Sequence, residues 1–438
     1  MNKKYQSWIK KGLDKGLTDI EIYSTISTNL SIEVFNGKIE SNEVSTMQDV
    51  TIKGILNNKL ARVRVEDLTD SNIDAMLDKL IDSAKNITAN EPAIIFEGSK
   101  EYLKVDETNF NFGEILPTDK VDFLLNIEKG IKEHPLTSTV QTVSYSESDS
   151  KTVIINSKGL NLTKHHTYAL VYAIGVFEKD GQIKTGLDYQ MVRDYNVFNL
   201  DKLVKGVIKN GTEQLGAKSI TSKSYPVVFS NEMFGNVLRA YNQIFYGEAA
   251  YRQLTKLNGM QGKEIASPIV NLINDPLKEE ALFKIPFDDE GVATRKRHLI
   301  KDGVFTDFSH NLKTAEIFKT EPTGNGFGGG TASTNLYLEP GKNSFDEIIT
   351  TIKDGVYITD LVGVHAGVET VSGDFSLQAA GFKIEDGKLT DPVDMIVVSG
   401  NYFDLLKDIE MIANDFIFGL SGIGSSSVKI KSLTIGGQ

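Results

Sequence analysis

The segment Gly363-Val-His-Ala-Gly-Val-Glu-Thr-Val-Ser-Gly-Asp-Phe-Ser-Leu-Gln-Ala-Ala-Gly381 places four glycines among small, apolar and polar residues. Glycine is favoured where the backbone closely approaches another backbone or a ligand. Polar residues at 374, 376 and 378 lie between the last two glycines. Because an isolated glycine in a strand usually marks a bulge or a bend, the segment predicts a tight corner in a β-rich domain. A ligand contact is the alternative.

The chain on both sides of this segment carries strand patterns and many glycines, so residues 223–438 are predicted to form one β-rich, glycine-rich domain. Within it, the apolar run Tyr225-Pro-Val-Val-Phe-Ser230 predicts a short buried strand. The residues that follow repeat apolar side chains at helical spacing and predict a helix over 231–254. A later helix is predicted over 401–415 on the same grounds.

The first 222 residues predict two successive units of helices and strands. The segments with helical spacing are 5–13, 73–84, 119–133 and 200–215. The turn signals between strand patterns are Asn36-Gly37, Asn57-Asn58, Lys158-Gly159 and Asp180-Gly181. We therefore predict an α+β protein. Residues 1–90 and 91–222 each form a two-layer unit of helices on an antiparallel sheet, and the two units pack as one N-terminal domain. The β-rich domain 223–438 follows. Residues 91–117 are predicted as a linker, or as a crossing segment that contains a strand.

The composition excludes several classes of protein. The 438 residues carry a formal net charge of −12, which argues against a partner that is a nucleic acid. The chain has no cysteine, which excludes disulfides, thiolate metal sites and cysteine nucleophiles. It has no run of about 18 apolar residues that could span a membrane, and no apolar segment typical of a signal peptide follows its charged start. We expect a cytoplasmic protein.

The segment Gly324-Asn-Gly-Phe-Gly-Gly329 formally matches the dinucleotide motif G-x-G-x-x-G. That motif requires a preceding strand and a following helix. Here a Glu-Pro-Thr sequence precedes it and a predicted strand follows it. We therefore predict a mobile or ligand-covering loop in place of a nucleotide site.

Two groups of side chains could carry acid–base chemistry. His365 and Glu369 lie four residues apart, so a strand would direct both to one face. A hydrogen-bonded structural histidine is the favoured interpretation. The acidic run Asp288–Glu290 could bind a divalent cation through oxygen, although a solvated turn is favoured, with its charges paired to the basic residues at 295–298.

Several segments resemble the TldD/PmbA family, and in the C-terminal half they occur in the order expected for it. These segments are Phe287-Asp-Asp-Glu-Gly-Val-Ala-Thr-Arg295, Leu299-Ile-Lys-Asp-Gly-Val304, Thr323-Gly-Asn-Gly326, Asn335-Leu-Tyr-Leu-Glu-Pro-Gly341, Gly373-Asp-Phe-Ser-Leu-Gln378, Val398-Ser-Gly-Asn401 and the glycine-rich tail around Gly422. The resemblance implies a heterodimeric zinc metallopeptidase that degrades unfolded or modified peptides, in a family also linked to modulation of DNA gyrase. In that family a TldD-type subunit carries H-E-x-x-x-H, and a PmbA-type subunit, also called TldE, lacks it.

The resemblance implies that the metal motif should lie on the helix after the strand at 225–230. Arg239-Ala-Tyr-Asn-Gln-Ile244 occupies that position, and Asn231-Glu-Met-Phe-Gly-Asn236 is a second partial match. Neither offers an imidazole, amide oxygens are weak zinc ligands, and no cysteine can supply the family's remaining ligand. Without these ligands no zinc-bound water can be activated. We therefore expect a PmbA/TldE-type chain whose motif is degenerate at Arg239 and Ile244 and which binds no metal of its own.

The resulting prediction is a subunit that closes the cavity of a TldD-type zinc peptidase and helps to admit an extended peptide. It would act in a heterodimer, or form a homodimer when alone. The candidate residues for the substrate channel or the interface are Asn325, Asn335, His365, Asp374 and Ser376. Two alternatives stay open. One is a self-contained hydrolase that uses His365, Glu369 and Asp288–Glu290 as acid–base groups. The other is a non-enzymatic regulator of the gyrase-modulator type that binds a protein partner.

Overall fold

The computed structural model describes residues 2–105 and 109–438, and within them it has the predicted α+β architecture. The N-terminal part consists of α1 Asn2–Asp14, β1 Asp19–Phe35, β2 Lys38–Leu56, β3 Lys59–Val65, α2 Ile73–Lys85, α3 Pro117–Lys132, β4 Thr137–Asn156, β5 Asn161–Lys179, β6 Gln182–Val192 and α4 Leu200–Thr212. Among the described helices of the whole chain, none is long and apolar enough to cross a membrane.

The C-terminal part contains mostly short strands, with helices between them. Its elements are β7 Lys223–Phe229, α5 Asn231–Tyr241, α6 Gly247–Tyr251, β8 Leu272–Asn274, β9 Arg297–Lys301, β10 Val304–Phe305, α7 Leu312–Phe318, β11 Gly326–Phe327, β12 Gly330–Thr331, β13 Leu336–Leu338, α8 Phe345–Thr350, β14 Asp354–Val362, β15 Asp374–Glu385, β16 Lys388–Asn401, α9 Tyr402–Lys407, β17 Ile409–Ile412, β18 Ile417–Phe418, β19 Ile423–Ser425 and β20 Val428–Gly436.

One antiparallel sheet of six strands organises the N-terminal part, in the order β3-β2-β1-β4-β5-β6. Its two central strands, β1 and β4, come from the two units predicted at 1–90 and 91–222, so these units share a single sheet. The predicted hairpin turns are present. Asn36 and Gly37 have φ angles of 51° and 74°, and Asn57 and Asn58 have 50° and 59°, the positive values that two-residue hairpin turns require.

All four N-terminal helices cover the same face of this sheet. Ile22 and Ile32 of β1 point to this face, because they lie an even number of residues apart along one strand. Ile22 is buried with residues of α1 and α2, and Ile32 with residues of α3 and α4. The opposite face carries Tyr23, which follows Ile22 directly in β1. It also carries Tyr189 of β6, which pairs with Tyr172 of β5. This opposite face meets the C-terminal part.

The C-terminal part contains a closed barrel and a second sheet. The barrel strands follow the order β16-β15-β14-β7-β20, and pairing between β16 and β20 closes it. The second sheet has the order β10-β9-β8-β13-β19-β18. A large buried cluster that includes Phe229, Phe234 and Tyr402 connects barrel strands with the helices beside them. The prediction of a β-rich C-terminal domain is confirmed.

The glycine segment 363–381 forms turns followed by β15. Gly363 and Gly373 have φ angles of 83° and 86°, which L side chains rarely adopt. A Cβ on Gly367 would lie 2.4 Å from the carbonyl oxygen of Ser376, and one on Gly381 only 1.8 Å from a carbonyl oxygen of β14. The close approach is between backbone and backbone, which confirms the predicted tight corner.

Two predicted helices are shorter than the sequence indicates. The helix over 231–254 is interrupted after α5, because the backbone N–H of Gly247 donates to the carbonyl of Ser309 at 2.8 Å. A 3-10 turn, Asn242–Phe245, fills the gap before α6. The helix over 401–415 ends with α9, because residues 409–412 pair with β20 as strand β17. In both places tertiary pairing overrides helical spacing.

The predicted linker, 91–117, packs against the C-terminal part. Its residues 106–108 lie outside the described residues. The rest forms no helix or strand before α3, apart from a 3-10 turn at Phe112–Glu114. The hydroxyl of Tyr102 donates to the carbonyl of Gly291 at 2.7 Å, and the Oγ of Ser99 accepts from the N–H of Ala293 at 2.9 Å. The segment therefore crosses between the two parts of the chain, but its described residues lack the strand predicted for a crossing segment.

Candidate functional site

Helix α5, where the metal motif was expected, lies beside a cavity of about 200 Å³. The helix begins at Ser230, whose Oγ accepts from the N–H of Met233 at 3.2 Å. One face of the helix is buried in the C-terminal core. The opposite stripe carries Glu232, Asn236 and Arg239 at spacings of four and three residues, and all three line the cavity.

Three separate segments enclose this cavity, which we call the α5 cavity. Helix α5 forms one wall, and Tyr189 of β6 brings the open face of the N-terminal sheet to a second. The third wall is formed by residues 417–423. Tyr189 and Leu420 both line the cavity, so the N-terminal sheet and this segment meet there. Ile417 and Leu420 are 38% and 49% exposed, so the rim of the cavity is apolar.

Side chains of opposite charge line the α5 cavity from the two ends of helix α5. Glu232 is in the first turn of α5, and Arg239 is in its last turn. Although the residue as a whole is exposed, partial desolvation of its carboxylate, followed by the charges of Asp188 and Asp360, raises the pKa of Glu232. Within the described residues, neither Glu232 nor Arg239 forms an ion pair or a side-chain hydrogen bond. Both groups are therefore available to a ligand.

The residues at the two expected histidine positions do not fit a zinc site. Arg239 lines the cavity with a permanent positive charge, which disfavours a cation. Ile244 has no donor atom and is fully buried in the core, outside the residues that line the cavity. Throughout residues 2–105 and 109–438, no group of three or more His, Asp or Glu side chains has the arrangement of a metal site.

Two of the predicted channel residues are buried. Asn325 is fully buried, and its side chain accepts from the hydroxyl of Thr323 at 2.7 Å and donates to the carbonyl of Ala332 at 2.9 Å. Asn335 has a φ of 49°, and its amide donates to the carbonyls of Pro276 and Phe283 at 3.1 and 2.9 Å. Their bonds hold loops of the C-terminal part, and neither residue lines the α5 cavity.

The other three predicted residues, His365, Asp374 and Ser376, are exposed. Asp374 and Ser376 lie on the outer face of the barrel, because the residues that alternate with them in β15 are buried. The Asp374 carboxylate accepts from the amide of Asn401 at 2.8 Å, and this bond lowers its pKa. Residues 363–373 form turns, so the strand that would align His365 with Glu369 is absent.

The acidic turn at 287–291 is buried at Asp288 and half-buried at Asp289 and Glu290, so the prediction of a solvated turn is wrong. The carboxylate of Asp288 is fully buried and accepts from the backbone N–H groups of Glu290, Val292 and Gly326 at 3.0, 2.9 and 2.7 Å. Burial, followed by the charge of Glu290, raises the pKa of Asp288 to about 8. Glu290 in turn accepts from the N–H of Leu312 at 2.8 Å.

The charges of this turn pair with the N-terminal sheet, and not with residues 295–298 as predicted. Asp289 accepts from the hydroxyl of Tyr23 at 2.9 Å and from Lys164 at 3.1 Å. Both partners lie on the sheet face that meets the C-terminal part. None of the bonds of the turn in the described residues reaches His365 or Glu369, so the geometry does not support a hydrolase built from these groups.

The glycine-rich segment 324–329 forms part of a short hairpin of β11 and β12 and opens no helix. The N–H of Gly328 donates to Asp289 at 3.1 Å. A Cβ on Gly329 would lie 2.4 Å from a guanidinium nitrogen of Arg62. The segment therefore contacts the N-terminal sheet through Arg62, and its role as a mobile or ligand-covering loop stays a prediction.

Sequence reasoning located the helix of the candidate site but missed the α5 cavity. The polar stripe of Glu232, Asn236 and Arg239 was readable from its helical spacing. Tyr189 and Leu420 gave no local signal, because the fold brings them to α5 from distant parts of the chain.

Comparison with known proteins places these features in a family. Models of the PmbA/TldA metallopeptidase match three successive regions: domain 1 at residues 20–84, the central domain at 110–218 and the C-terminal domain at 222–437. The Metalloprotease PmbA homolog of Buchnera aphidicola is 26% identical over 96% of this chain and 93% of its own length. Metalloprotease PmbA of Escherichia coli O157:H7 is 25% identical over 95% of this chain and 92% of its own length.

Solved structures agree with the family match. A Thermotoga maritima protein named as a candidate modulator of DNA gyrase superposes with a TM-score of 0.92 at 27% identity, covering 99% of this chain and 100% of its own. TldE from Thermococcus kodakarensis gives a TM-score of 0.89 at 24% identity over 99% of this chain and 100% of its own, which shows a shared fold. Because the three family models together span most of the sequence, the chain belongs to the PmbA/TldD family of metallopeptidases.

Proposed function

We propose that this chain is the PmbA/TldE-type subunit of a TldD/TldE zinc metallopeptidase that acts on unfolded or modified peptides. In this role it shapes the peptide cavity, and a TldD-type partner holds the zinc. The observation that carries the proposal is the pair of residues at the expected histidine positions, Arg239 and Ile244. The first is cationic and the second is buried without a donor. Relatives named PmbA and relatives named TldD both resemble the chain, which supports a family with two kinds of subunit.

The edge of the second sheet supports a role in holding an extended peptide. Strand β18 is the last strand of that sheet, and its residue Ile417 lines the α5 cavity. An edge strand offers unpaired N–H and C=O groups, and extended peptides bind to such edges through main-chain hydrogen bonds. A peptide added there would lie beside α5.

The exposed outer face of the barrel is the proposed contact with the partner, with Asp374 as its test residue. Because this carboxylate is exposed, Asp374→Ala should leave the free energy of unfolding nearly unchanged. Loss of co-purification with a TldD-type subunit would support the contact. Unchanged assembly and unchanged peptide turnover would remove Asp374 from the interface.

The test of the proposed function is peptide hydrolysis in the presence of zinc, by the purified chain alone and mixed with a TldD-type partner. Metal content is measured on the same samples. The control is a partner whose motif glutamate has been replaced by glutamine. We expect cleavage only in the mixture with the active partner, with zinc following that partner. Chelator-sensitive cleavage by this chain alone would overturn the proposal. A stable complex with another protein, without cleavage in any mixture, would favour a regulator.

A further inference from the structure

We infer that the α5 cavity binds a short peptide by its two ends, with Glu232 receiving the ammonium group and Arg239 the carboxylate. This inference rests on the proposed function and adds to it, because it states which part of a peptide this subunit holds and in which direction. Neither residue belongs to the interface and channel residues predicted from the sequence.

The spacing of the two residues along α5 fits a ligand of about three residues. Glu232 and Arg239 are seven positions apart on α5. At about 1.5 Å of rise per residue, their Cα atoms are separated by roughly 10 Å along the helix axis. An extended peptide advances about 3.3–3.6 Å per residue, so a tripeptide spans this distance. The cavity volume of about 200 Å³ is also below the range of pockets for drug-sized ligands, roughly 300–1,000 Å³, and suits a short ligand.

The electrostatics give each end of the cavity a different preference. At the Glu232 end, the carboxylates of Asp188 and Asp360 add to the negative potential, which favours an ammonium group. At the other end, the guanidinium of Arg239 presents a planar fork of donors that matches a carboxylate.

Two further features suit a peptide. Asn236 lies between the two charges on the same stripe, and its amide can both donate to and accept from a peptide group. The apolar rim of Ile417 and Leu420 can contact side chains. A simple metal cation would lack partners next to Arg239, and a simple anion would be repelled at the Glu232 end.

The experiment is calorimetric binding of the tripeptide Ala-Leu-Ala to the purified chain, without partner or zinc. Three forms are compared: the free peptide, the N-acetylated peptide and the C-amidated peptide. Each cap removes one charge-assisted hydrogen bond, so each should weaken binding by about tenfold or more. Glu232→Gln should abolish the effect of acetylation and keep that of amidation. Arg239→Gln should abolish the effect of amidation and keep that of acetylation.

The matched control is Arg252→Gln, which removes an exposed arginine that does not line the cavity. It should bind all three peptides as the wild-type chain does. Glu232 and Arg239 are both exposed, and circular dichroism and thermal melting are expected to show that their variants are folded. The inference is overturned if the free tripeptide does not bind, if either cap has no effect, or if a variant keeps the cap sensitivity that it should lose. Peptide hydrolysis in the mixture with a TldD-type partner tests the proposed function separately. If that mixture cleaves peptides but the caps do not affect tripeptide binding to this chain, only the present inference is removed.

Discussion

Replacing Asp288 with asparagine should change how the stability of the protein depends on pH. The Asp288 side chain is fully buried where the C-terminal part meets the N-terminal sheet, and its two oxygens accept three backbone N–H bonds. Asparagine keeps the shape of the side chain. Its amide nitrogen, however, would face the N–H of Gly326, and the lost bond costs about 1–3 kcal/mol at every pH.

The pH-dependent part follows from the pKa of Asp288, which burial raises from 3.8 to about 8. The native chain keeps a proton that the unfolded chain releases above pH 4. The stability contributed by the neutral carboxyl is therefore fully present below the unfolded pKa and is lost as the pH rises through the native pKa. The loss is about 1.4 kcal/mol per pH unit between the two values. From pH 5.5 to pH 8.5 it amounts to about 3 kcal/mol for the wild-type chain, and it is absent in the asparagine variant.

The assay is urea unfolding at pH 5.5 and pH 8.5, followed by circular dichroism and by the fluorescence of Trp8, the single tryptophan. Coincident transitions justify a two-state analysis. The difference in unfolding free energy between variant and wild type should move by about 3 kcal/mol in favour of the variant at the higher pH. Asp289→Asn, in the same turn, controls for the loss of contacts to the N-terminal sheet. An Asp288→Asn difference that is equal at both pH values would refute the reasoning, because it would mean that the three N–H donors keep the native carboxylate charged.

Three other variants test separate features. Gly381→Ala should lower the melting temperature in scanning calorimetry, because its Cβ would lie 1.8 Å from a carbonyl oxygen of β14. Overpacking of this kind typically costs about 1–3 kcal/mol. An unchanged melting temperature would contradict the close approach. Arg239→His combined with Ile244→His should not create a zinc-binding chain, because the second position is fully buried; stoichiometric zinc after gel filtration, measured by atomic emission, would show otherwise. Lys120→Met should lower the free energy of unfolding in urea by about 3–5 kcal/mol, because it removes the ammonium group that lies 2.6 Å from the carboxylate of Glu147. A change below about 1 kcal/mol would mean that water solvates the Glu147 carboxylate well enough.

The sequence predicted those elements whose cause is local. The hairpin at Asn36-Gly37 depends on two residues that accept positive φ, and both are adjacent in the chain. Helix α2 follows from apolar residues that repeat every three or four positions. The interruption after α5 could not be predicted in this way, because Gly247 pairs with Ser309, which lies far along the chain.

The same limit applies to the acidic turn and to the candidate site. Asp289 bonds to Tyr23 and Lys164, which are 266 and 125 residues away, so no local pattern could show that the turn is buried. Arg239 could be located because it occupies a fixed position after a recognisable strand. The other walls of the α5 cavity could not be located from the sequence, because Leu420 and the N-terminal sheet reach the cavity only through the tertiary fold.

The pairing of β1 with β4 makes the two halves of the N-terminal part depend on each other. The halves repeat one order, α1-β1-β2-β3-α2 and α3-β4-β5-β6-α4, on either side of this central seam. If the chain were cut between α2 and α3, each half would expose a strand of 17 or 20 residues whose backbone groups had lost their partner. Long unpaired edges recruit other strands, including those of a second copy. The segment that looks like a linker by composition is therefore a poor place to divide the protein, and fragments made there should associate through their seams.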